Sequence, residues 1–164
     1  MKRMWTPWRM EYILSDKAEE RAGCIFCLKP REARDRDNLI LYRGKHNYII
    51  LNLYPYNNGH LMVVPYKHSS NVDELDEPTL AEMMVLVQRS VAALQRAMSP
   101  DGFNIGLNIG RPAGAGVDYH VHMHVVPRWV GDSNFMPVIG ETRLIPEDLA
   151  TTYDHLIQAG IAAP

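Results

Sequence analysis

The chain has 164 residues, 46% of them hydrophobic and 22% charged, which is enough for one globular domain with a buried core. Its 17 Lys and Arg against 19 Asp and Glu give a net charge of −2, which excludes a global basic surface for nucleic acid. No apolar run approaches the roughly 18 residues of a membrane span, and 2 cysteines are too few for a disulfide scaffold. We therefore expect a cytoplasmic protein with neither a nucleic-acid nor a membrane partner.

The N-terminal part of the chain predicts an arm, a charged connector and three short strands. Residues 1–22 place a few apolar side chains among many charges, and residues 28–38 are rich in charge. Short apolar runs separated by turn residues then predict strands, at 39–42, 48–53 and 61–64.

A long helix over 77–98 is the clearest element of the sequence. Asp76 can cap its N-terminus, and Pro78 suits its first turn. Apolar residues then recur at spacings of three and four as far as Met98, and the Pro-Asp-Gly sequence after Ser99 ends the helix. Both ends of this helix are therefore predicted from local signals.

Two runs of alternating side chains follow the helix. One covers 103–110 and the other 120–126, with a Gly-rich loop at 110–116 between them, and a period of two predicts strands. A Pro-Glu-Asp sequence at 146–148 opens a last short helix that ends near Gly160. Antiparallel strands with one long helix between the third and the fourth predict an α+β domain.

Three histidines alternate with apolar residues in the second of these runs. On a strand His120, His122 and His124 share one face, while the residues between them share the other. Burial of three imidazoles for packing alone is unfavourable, because each needs hydrogen-bond partners. The pattern therefore indicates a functional site, and two interpretations remain open: three ligands of a catalytic metal ion, or a nucleophilic imidazole with supporting partners.

The histidine run, followed by Pro127-Arg128, resembles the signature of the histidine triad (HIT) superfamily of nucleotidyl hydrolases and transferases. The stretch from Leu51 to Pro65 is similar to the nucleoside-binding hairpin of that superfamily. The Cys-Ile-Phe-Cys sequence at 24–27 is similar to its N-terminal zinc knuckle. These motifs span most of the chain.

Three further stretches, 5–10, 52–57 and 127–135, resemble the Fhit-like branch and are shared by the actinobacterial-type diadenosine tetraphosphate phosphorylases and hydrolases. The resemblance implies an α+β HIT fold in which the long helix packs on one antiparallel sheet, and a homodimer with a continuous sheet across the subunits. It also implies a single HIT domain over 1–164. Its parts are an N-terminal arm at 1–22, a core at 23–135, and a C-terminal extension with the short helix at 136–164.

The resemblance makes His122 the nucleophile that attacks an α-phosphate, with His124 as a hydrogen-bond donor and His60 as a further histidine of the catalytic pocket. A neutral imidazole has a free lone pair on one nitrogen when the other holds the proton. A covalent nucleotidyl-histidine, which water or phosphate can resolve, divides one displacement into two easier steps. The implied function is cleavage of a dinucleoside polyphosphate, namely diadenosine tetra- or triphosphate. The alternatives are a nucleoside phosphoramidate hydrolase of the same superfamily and a nucleotide-binding regulator with little turnover.

The same resemblance implies a nucleotide-binding pocket. Asn52 corresponds to a ribose contact, where many members of the superfamily have Asp, and Asn108 lies near the position of a polar α-phosphate ligand. The loop before the histidines lacks the Gln and the hydroxyl of many relatives, so its backbone N–H groups are the expected phosphate donors. The other implied pocket residues are the base-side walls Ile25, Phe26 and Leu53, and the loop residues Gly114, Ala115, Gly116 and Val117.

A metal site is the last expectation. Cys24 and Cys27 have the spacing of half a tetrahedral zinc site, and the resemblance implies His68 and His120 as the other half. Two Cys and two His leave no open position, so this zinc would be structural. If His120 binds it, the three histidines of the run cannot all be ligands of one catalytic metal ion.

Overall fold

The computed structural model describes residues 23–132 and 147–163, so the predicted arm at 1–22 and the end of the predicted core after residue 132 lie outside the described residues. No helix within the described ranges is long and apolar enough to cross a lipid bilayer. In chain order the helices and strands are α1 (Ile25–Leu28), β1 (Ile40–Arg43), β2 (Asn47–Leu51), β3 (Leu61–Pro65), α2 (Glu77–Met98), β4 (Gly102–Leu107), β5 (Met123–Arg128) and α3 (Leu149–Gln158).

The five strands form one antiparallel sheet in the order β1-β2-β3-β5-β4. Strands β1, β2 and β3 follow one another as neighbours, whereas β5 lies between β3 and β4. His124 of β5 is paired with Met62 of β3, and β4 pairs with the whole of β5. The predicted α+β architecture, an antiparallel sheet with one long helix between the third and fourth strands, is confirmed.

The long helix α2 begins and ends where its sequence signals predict. The Asp76 side chain accepts a hydrogen bond from the Thr79 N–H (3.0 Å), and Ser99 leaves the helix in the left-handed conformation (φ 46°). The buried face of α2 packs on one face of the sheet to form the main core, and each fully buried aliphatic side chain there contributes roughly 1.5–3 kcal/mol. This core includes Met83, Leu86, Val87 and Leu94 of the helix, and Ile49, Leu51, Leu61, Val63 and Val125 of the sheet.

Two strands depart from their predicted bounds by three residues, and the others by two or fewer. β4 ends at Leu107, and β5 begins at Met123 rather than at residue 120. The chain turns away from β3 before Met123, because the Val121 N–H donates to the Ser69 carbonyl oxygen (2.7 Å) instead of joining the sheet. The alternation of side chains persists, since Val121 still lies in the main core beside Val125.

The other face of the sheet carries a second, smaller core. Phe26 of α1 packs there with Tyr48 of β2 and with Val117 of the loop between β4 and β5. The Tyr48 hydroxyl donates to the Phe26 carbonyl oxygen (2.8 Å), which satisfies a buried backbone acceptor. This packing places α1 beside the histidines that precede β5, where the Phe26 ring contacts those of His120 and His122.

The C-terminal helix α3 belongs to the main core. Its N-terminus is capped by Asp148, whose carboxylate accepts from the N–H groups of Ala150 and Thr151. Leu156 and Ile161 are fully buried against α2 and the sheet. The short helix predicted after residue 146 is confirmed, and its buried side chains belong to the same core as those of α2.

Candidate active site

Three buried histidines meet where β3 and β5 lie side by side. His60 directly precedes β3, His124 is the second residue of β5, and His122 directly precedes that strand. Their exposed fractions are 0%, 7% and 4%. Buried imidazoles need hydrogen-bond partners, and the partners found here determine which nitrogen of each ring carries the proton.

His122 is held by the backbone of its own segment. Its Nδ1 lies 2.8 Å from the carbonyl oxygen of His120, and a carbonyl can only accept, so the proton is on Nδ1 and the lone pair is on Nε2. Burial lowers the pKa of His122 below its ordinary value, because the charged form loses hydration. The ring also packs against Phe26, with centroids 5.0 Å apart. His122 is therefore a neutral imidazole with its basic nitrogen at Nε2.

His124 is held by a second histidine. The Nδ1 of His60 accepts a hydrogen bond from the Tyr56 N–H (3.0 Å), so the proton of His60 is on Nε2. That nitrogen lies 2.9 Å from Nδ1 of His124, which accepts, so His124 carries its own proton on Nε2. Burial, together with the neighbouring His122, lowers the pKa of His124 to about 3. His124 is therefore a neutral hydrogen-bond donor.

His122 and His124 thus place an acceptor nitrogen and a donor nitrogen close together. The ring centroids of His122 and His124 are 4.7 Å apart, and one ring offers a lone pair at Nε2 while the other offers an N–H at Nε2. The side-chain amide of Asn108 reaches the same place, with its nitrogen 3.5 Å from Nε2 of His124. The two ends of an amide can exchange by rotation of the side chain, and its oxygen is the end that can accept from the Nε2–H of His124. A lone pair beside a neutral donor suits attack on a phosphorus whose oxygens gain charge.

Cys24, Cys27, His68 and His120 form a group that could hold a metal ion. One ligand atom from each lies within 4.8 Å of all the others. Nδ1 of His120 is 3.2 Å from the Cys24 Sγ and 3.6 Å from the Cys27 Sγ, and Nδ1 of His68 is 3.4 Å from the Cys27 Sγ. A tetrahedral zinc ion would set such sulfur-to-nitrogen separations at about 3.5 Å, so the residues present fit that ion.

The hydrogen bond on the far side of His120 supports the same fit. Its Nε2–H donates to the Pro65 carbonyl oxygen (2.9 Å), which leaves the lone pair on Nδ1, toward the two thiols. His122 and His124 do not belong to this group, and the described residues contain no other group of this kind. The structure therefore does not bring the three histidines of the run together as ligands of one metal ion.

The predicted base and ribose residues lie in different surroundings. Phe26 is buried beside His122, Ile25 is half-buried, and Leu53 is 50% exposed. Asn52 is half-buried, and its side chain already bonds within its own turn: Oδ1 accepts from the Tyr54 N–H (3.0 Å). The structure thus leaves the walls of the pocket as a prediction, and it gives Asn52 partners that the sequence did not indicate.

The predicted phosphate loop is held in shape by hydrogen bonds within its own backbone. The N–H groups of Gly114 and Ala115 donate to the carbonyl oxygens of Arg111 and Gly110, and Gly114 adopts a left-handed conformation (φ 93°), which glycine tolerates best. Val117 and Ala115 have buried side chains. Since the N–H groups of 114 and 115 are already used, the predicted phosphate donors of this loop reduce to those of 116 and 117.

Tyr56 lies in the stretch 52–57 that resembles the Fhit-like branch, but it was not among the predicted site residues. Its ring centroid lies 4.6 Å from that of His60 and 5.5 Å from that of His124, so the ring covers both imidazoles. The only sequence signal is an aromatic residue four positions before His60 in a turn. That signal has no preferred partner until the fold brings β3 and β5 together.

Comparison with known proteins identifies the family. Residues 33–130 match the family model described as the HIT domain, which is more than half of the chain. The chain belongs to the HIT family. The resemblance drawn from the histidine run, the hairpin and the Cys-Ile-Phe-Cys sequence is thereby confirmed.

Individual HIT proteins agree with this assignment. AP-4-A phosphorylase of Mycobacterium tuberculosis is 40% identical over 157 residues, which cover 93% of this chain and 80% of that protein. A Zn-bound histidine triad family protein from Mycobacterium smegmatis has a similar fold, with a TM-score of 0.68, 27% identity, and coverage of 84% of this chain and 93% of that chain. A hypothetical histidine triad nucleotide-binding protein from Sulfolobus tokodaii gives a TM-score of 0.67 and 31% identity over 83% of this chain and 91% of that chain.

Proposed function

We propose that this HIT protein cleaves a dinucleoside polyphosphate at an α-phosphate through a nucleotide covalently attached to His122. The observation that carries the proposal is the bond from His122 Nδ1–H to the His120 carbonyl oxygen (2.8 Å). It leaves the Nε2 lone pair as the nucleophile in a buried site. The 40% identity to a protein named AP-4-A phosphorylase supports diadenosine tetraphosphate as the substrate to test first.

The reaction needs two displacements at one phosphorus atom. In the first, Nε2 of His122 bonds to the α-phosphorus, and the bond to the bridging oxygen breaks, which releases the remaining nucleoside polyphosphate. In the second, an oxygen of water or phosphate attacks the same phosphorus and gives up its proton to the solvent, while the bond to Nε2 breaks and restores the lone pair. The proton stays on Nδ1 of His122 throughout and remains hydrogen-bonded to the His120 carbonyl oxygen, so the ring keeps its orientation.

His124 has the role of an aimed donor in this proposal. Its Nε2–H faces the place where the phosphoryl and leaving oxygens gain negative charge, and a fixed donor there costs no reorganisation during the reaction. His60 acts through His124, because its Nε2–H holds the Nδ1 acceptor of that ring (2.9 Å). Asn108 and the N–H groups of residues 116 and 117 are the further proposed phosphate contacts.

The proposed nucleoside pocket lies beside α1 and the turn before β3. Phe26, which packs on His122, and Ile25 form one side of it, and Leu53 with half its surface exposed forms the other. An amide can both donate and accept, so Asn52 suits the ribose hydroxyls as well as its own turn.

We also propose that Cys24, Cys27, His68 and His120 hold a structural zinc ion. A bound zinc ion supplies a rigid tetrahedral junction and no open coordination position. These residues come from the start of α1, the segment after β3 and the segment before β5. The site therefore ties together three parts of the chain that surround His122.

A homodimer and a cytoplasmic location complete the proposal. β4 is an edge strand of the sheet, and Ile105 on it is 45% exposed. An exposed edge with apolar side chains suits pairing with a second copy, in line with the continuous sheet that the sequence predicts. The location rests on the composition of the sequence.

Product analysis tests the proposed function. The purified protein is incubated with diadenosine tetraphosphate, with and without inorganic phosphate. ADP and ATP formed only with phosphate identify a phosphorylase, whereas AMP and ATP formed in both conditions identify a hydrolase. If neither pair of products forms, the dinucleotide proposal is wrong, and a nucleoside phosphoramidate becomes the next substrate to test.

A further inference from the structure

The side chain of Asn52 has a determined orientation. Its Oδ1 accepts a hydrogen bond from the Tyr54 N–H (3.0 Å), so its amide nitrogen points the other way. That nitrogen lies 3.3 Å from Nδ1 of His60. Since an amide nitrogen only donates, Asn52 offers a second hydrogen to an atom that already accepts from the Tyr56 N–H (3.0 Å).

Two donors therefore converge on one nitrogen of His60. Because His60 is fully buried, no solvent can replace an unsuitable partner at that atom, and a proton on Nδ1 would face two other hydrogens. The lone pair of His60 is thus held at Nδ1, and its proton is held at Nε2, where Nδ1 of His124 accepts it.

The consequence reaches the reacting centre through a short chain of bonds. If His60 carried its proton on Nδ1, its Nε2 would become an acceptor, and His124 would have to donate from Nδ1. The Nε2 of His124 would then carry a lone pair toward the substrate in place of an N–H. A proton on the wrong nitrogen of His60 would therefore turn Nε2 of His124, beside His122, from a donor into an acceptor.

We propose that Asn52 and Tyr56 are positioning residues, which act as a pair of donors to fix the tautomers of His60 and His124. Neither residue needs to touch the reacting phosphate for this role. The Tyr56 ring contacts both imidazoles, whose planes are tilted by 46° to each other. The effect on catalysis rests on the proposed function, whereas the tautomers themselves do not.

NMR of the imidazole nitrogens tests the proposal directly. The full-length protein, loaded with zinc and free of nucleotide, is labelled at its histidine nitrogens. We expect a protonated Nε2 and an unprotonated Nδ1 for both His60 and His124. A proton on Nδ1 of His60 in the unmodified protein would overturn the proposal, whatever the protein does to nucleotides.

Asn52 variants separate the donor role from other roles of that side chain. Asn52→Asp places an acceptor where the amide donated, so we expect a proton on Nδ1 of His60. Asn52→Leu removes one of the two donors and leaves the Tyr56 N–H in place, so we expect a smaller population with the proton on Nδ1 of His60 than in the Asp variant. An unprotonated Nδ1 in the Asp variant would contradict the proposal, and the Leu variant shows whether loss of the amide alone disturbs the fold.

Tyr56 variants separate its backbone N–H from its ring. Tyr56→Pro removes the N–H, whereas Tyr56→Ala keeps the N–H and removes the ring. We expect a population of His60 with its proton on Nδ1 in the Pro variant only. If the Pro variant does not fold, the Asn52→Asp spectrum still decides the question.

A kinetic comparison tests the consequence for His124. Two substrates with the same nucleoside and α-phosphate are used, one with a strongly acidic leaving group and one with a weakly acidic one. Loss of an aimed donor slows the poor leaving group more, so we expect the ratio of the two turnover rates to change by about 10-fold or more between Tyr56→Pro and Tyr56→Ala. An unchanged ratio would mean a purely structural effect. If the unmodified protein turns over neither substrate, the proposed function is wrong, and the tautomer result stands by itself.

Discussion

Nδ1 of His122 lies 2.8 Å from the carbonyl oxygen of His120, while the side chain of that same His120 lies among the two thiols and His68. One residue therefore contributes its imidazole to the metal group and its backbone to the proposed nucleophile. A change in the position of the His120 side chain is expected to move the carbonyl that orients His122. The four residues that could hold a metal ion and the proposed nucleophilic nitrogen are thus linked by a single residue.

The first prediction concerns the nucleophile. His122→Ala removes the atom that attacks phosphorus, so we expect turnover of diadenosine tetraphosphate to fall by about 10³-fold or more. Nucleotide affinity should stay within about 3-fold, because the ring contributes little to ground-state binding in this proposal. Initial rates and calorimetric titration with a nucleotide measure the two quantities.

The matched control for His122 is His155→Gln on α3. Nδ1 of His155 lies 2.9 Å from a carboxylate oxygen of Glu147, and the side chain is about half exposed. His155 lies on α3, which contributes no residue to the proposed reaction. Its replacement should leave turnover unchanged. Turnover by His122→Ala equal to that of the unmodified protein would rule out the covalent mechanism.

The second prediction concerns the metal. Elemental analysis should find about one zinc per chain, and Cys27→Ser should reduce that content to near zero. His122→Ala should retain the zinc, because His122 is not among the four ligands proposed. Zinc that is lost from both variants would instead indicate that the histidine run itself binds the metal.

Removal of the metal with a chelator gives a second test of the same site. Removal of zinc is expected to lower the melting temperature, since a bound metal stabilises only the folded chain. Removal of zinc should also reduce turnover by a larger factor than it reduces nucleotide affinity, because the His120 carbonyl orients the His122 ring. Turnover that survives complete removal of zinc would show that the two sites are independent.

The third prediction concerns Glu82, an acceptor on α2. Its carboxylate accepts from the N–H groups of Lys45, His46 and Asn47, each at 2.7 Å, in the turn between β1 and β2. Hydrogen bonds to a charged group are stronger than neutral ones, so Glu82→Gln should lower the free energy of unfolding by about 1–3 kcal/mol. Chemical denaturation measures it, with the exposed Glu77→Gln on the same helix as the control.

The contribution of Glu82 also depends on pH. Burial raises the pKa of this carboxyl, but the hydrogen bonds from Asn47 and from the three N–H groups outweigh burial and lower it overall. The folded state therefore binds a proton less readily than the unfolded state, whose pKa is about 4.3. The stabilisation is present above that pH and is lost as pH falls through the folded value. The difference between the unmodified protein and Glu82→Gln should consequently be constant near neutral pH and shrink as the pH falls below the unfolded pKa of about 4.3.

The fourth prediction tests the place of α3 in the core. Leu156 is fully buried, whereas its neighbour Ile157 is 37% exposed. Leu156→Ala should cost about 2–5 kcal/mol of unfolding free energy, because it removes apolar contacts and leaves a cavity. Ile157→Ala should cost less than about 1 kcal/mol. Equal costs for the two changes would mean that α3 packs only loosely on α2.

The elements whose bounds depend on neighbouring residues could be predicted from the sequence. The bounds of α2 follow from Asp76, Pro78 and the apolar periodicity, all of which act within a few residues, so the sequence alone placed both ends. The alternation around His122 was predicted for the same reason. The start of β5 was predicted three residues too early, since it depends on the bond from Val121 to Ser69, which are far apart in the chain.

The hydrogen bonds of the candidate site could not be predicted from the sequence. Family resemblance named His60, His122 and His124 as site residues, which stays a prediction, and the structure adds the hydrogen bonds from which their proton positions are inferred. The pairing of His60 with His124 joins positions 64 residues apart, and nothing in either local sequence selects the partner. Asn52 was expected to face only a ribose, because its contacts with Tyr54 and His60 depend on the shape of one turn.

The strand order has a consequence for how the protein folds. β1, β2 and β3 are consecutive neighbours, and β4 and β5 pair with each other, so each set can form from short loops. The contact between β3 and β5 must wait until the chain carrying α2 brings the two sets together, and closing such a long loop is slow. His60 belongs to the first set, and His122 and His124 belong to the second. The hydrogen bond between His60 and His124 is therefore expected to form only when the two sets dock, so the proposed active site is completed in the last step of folding.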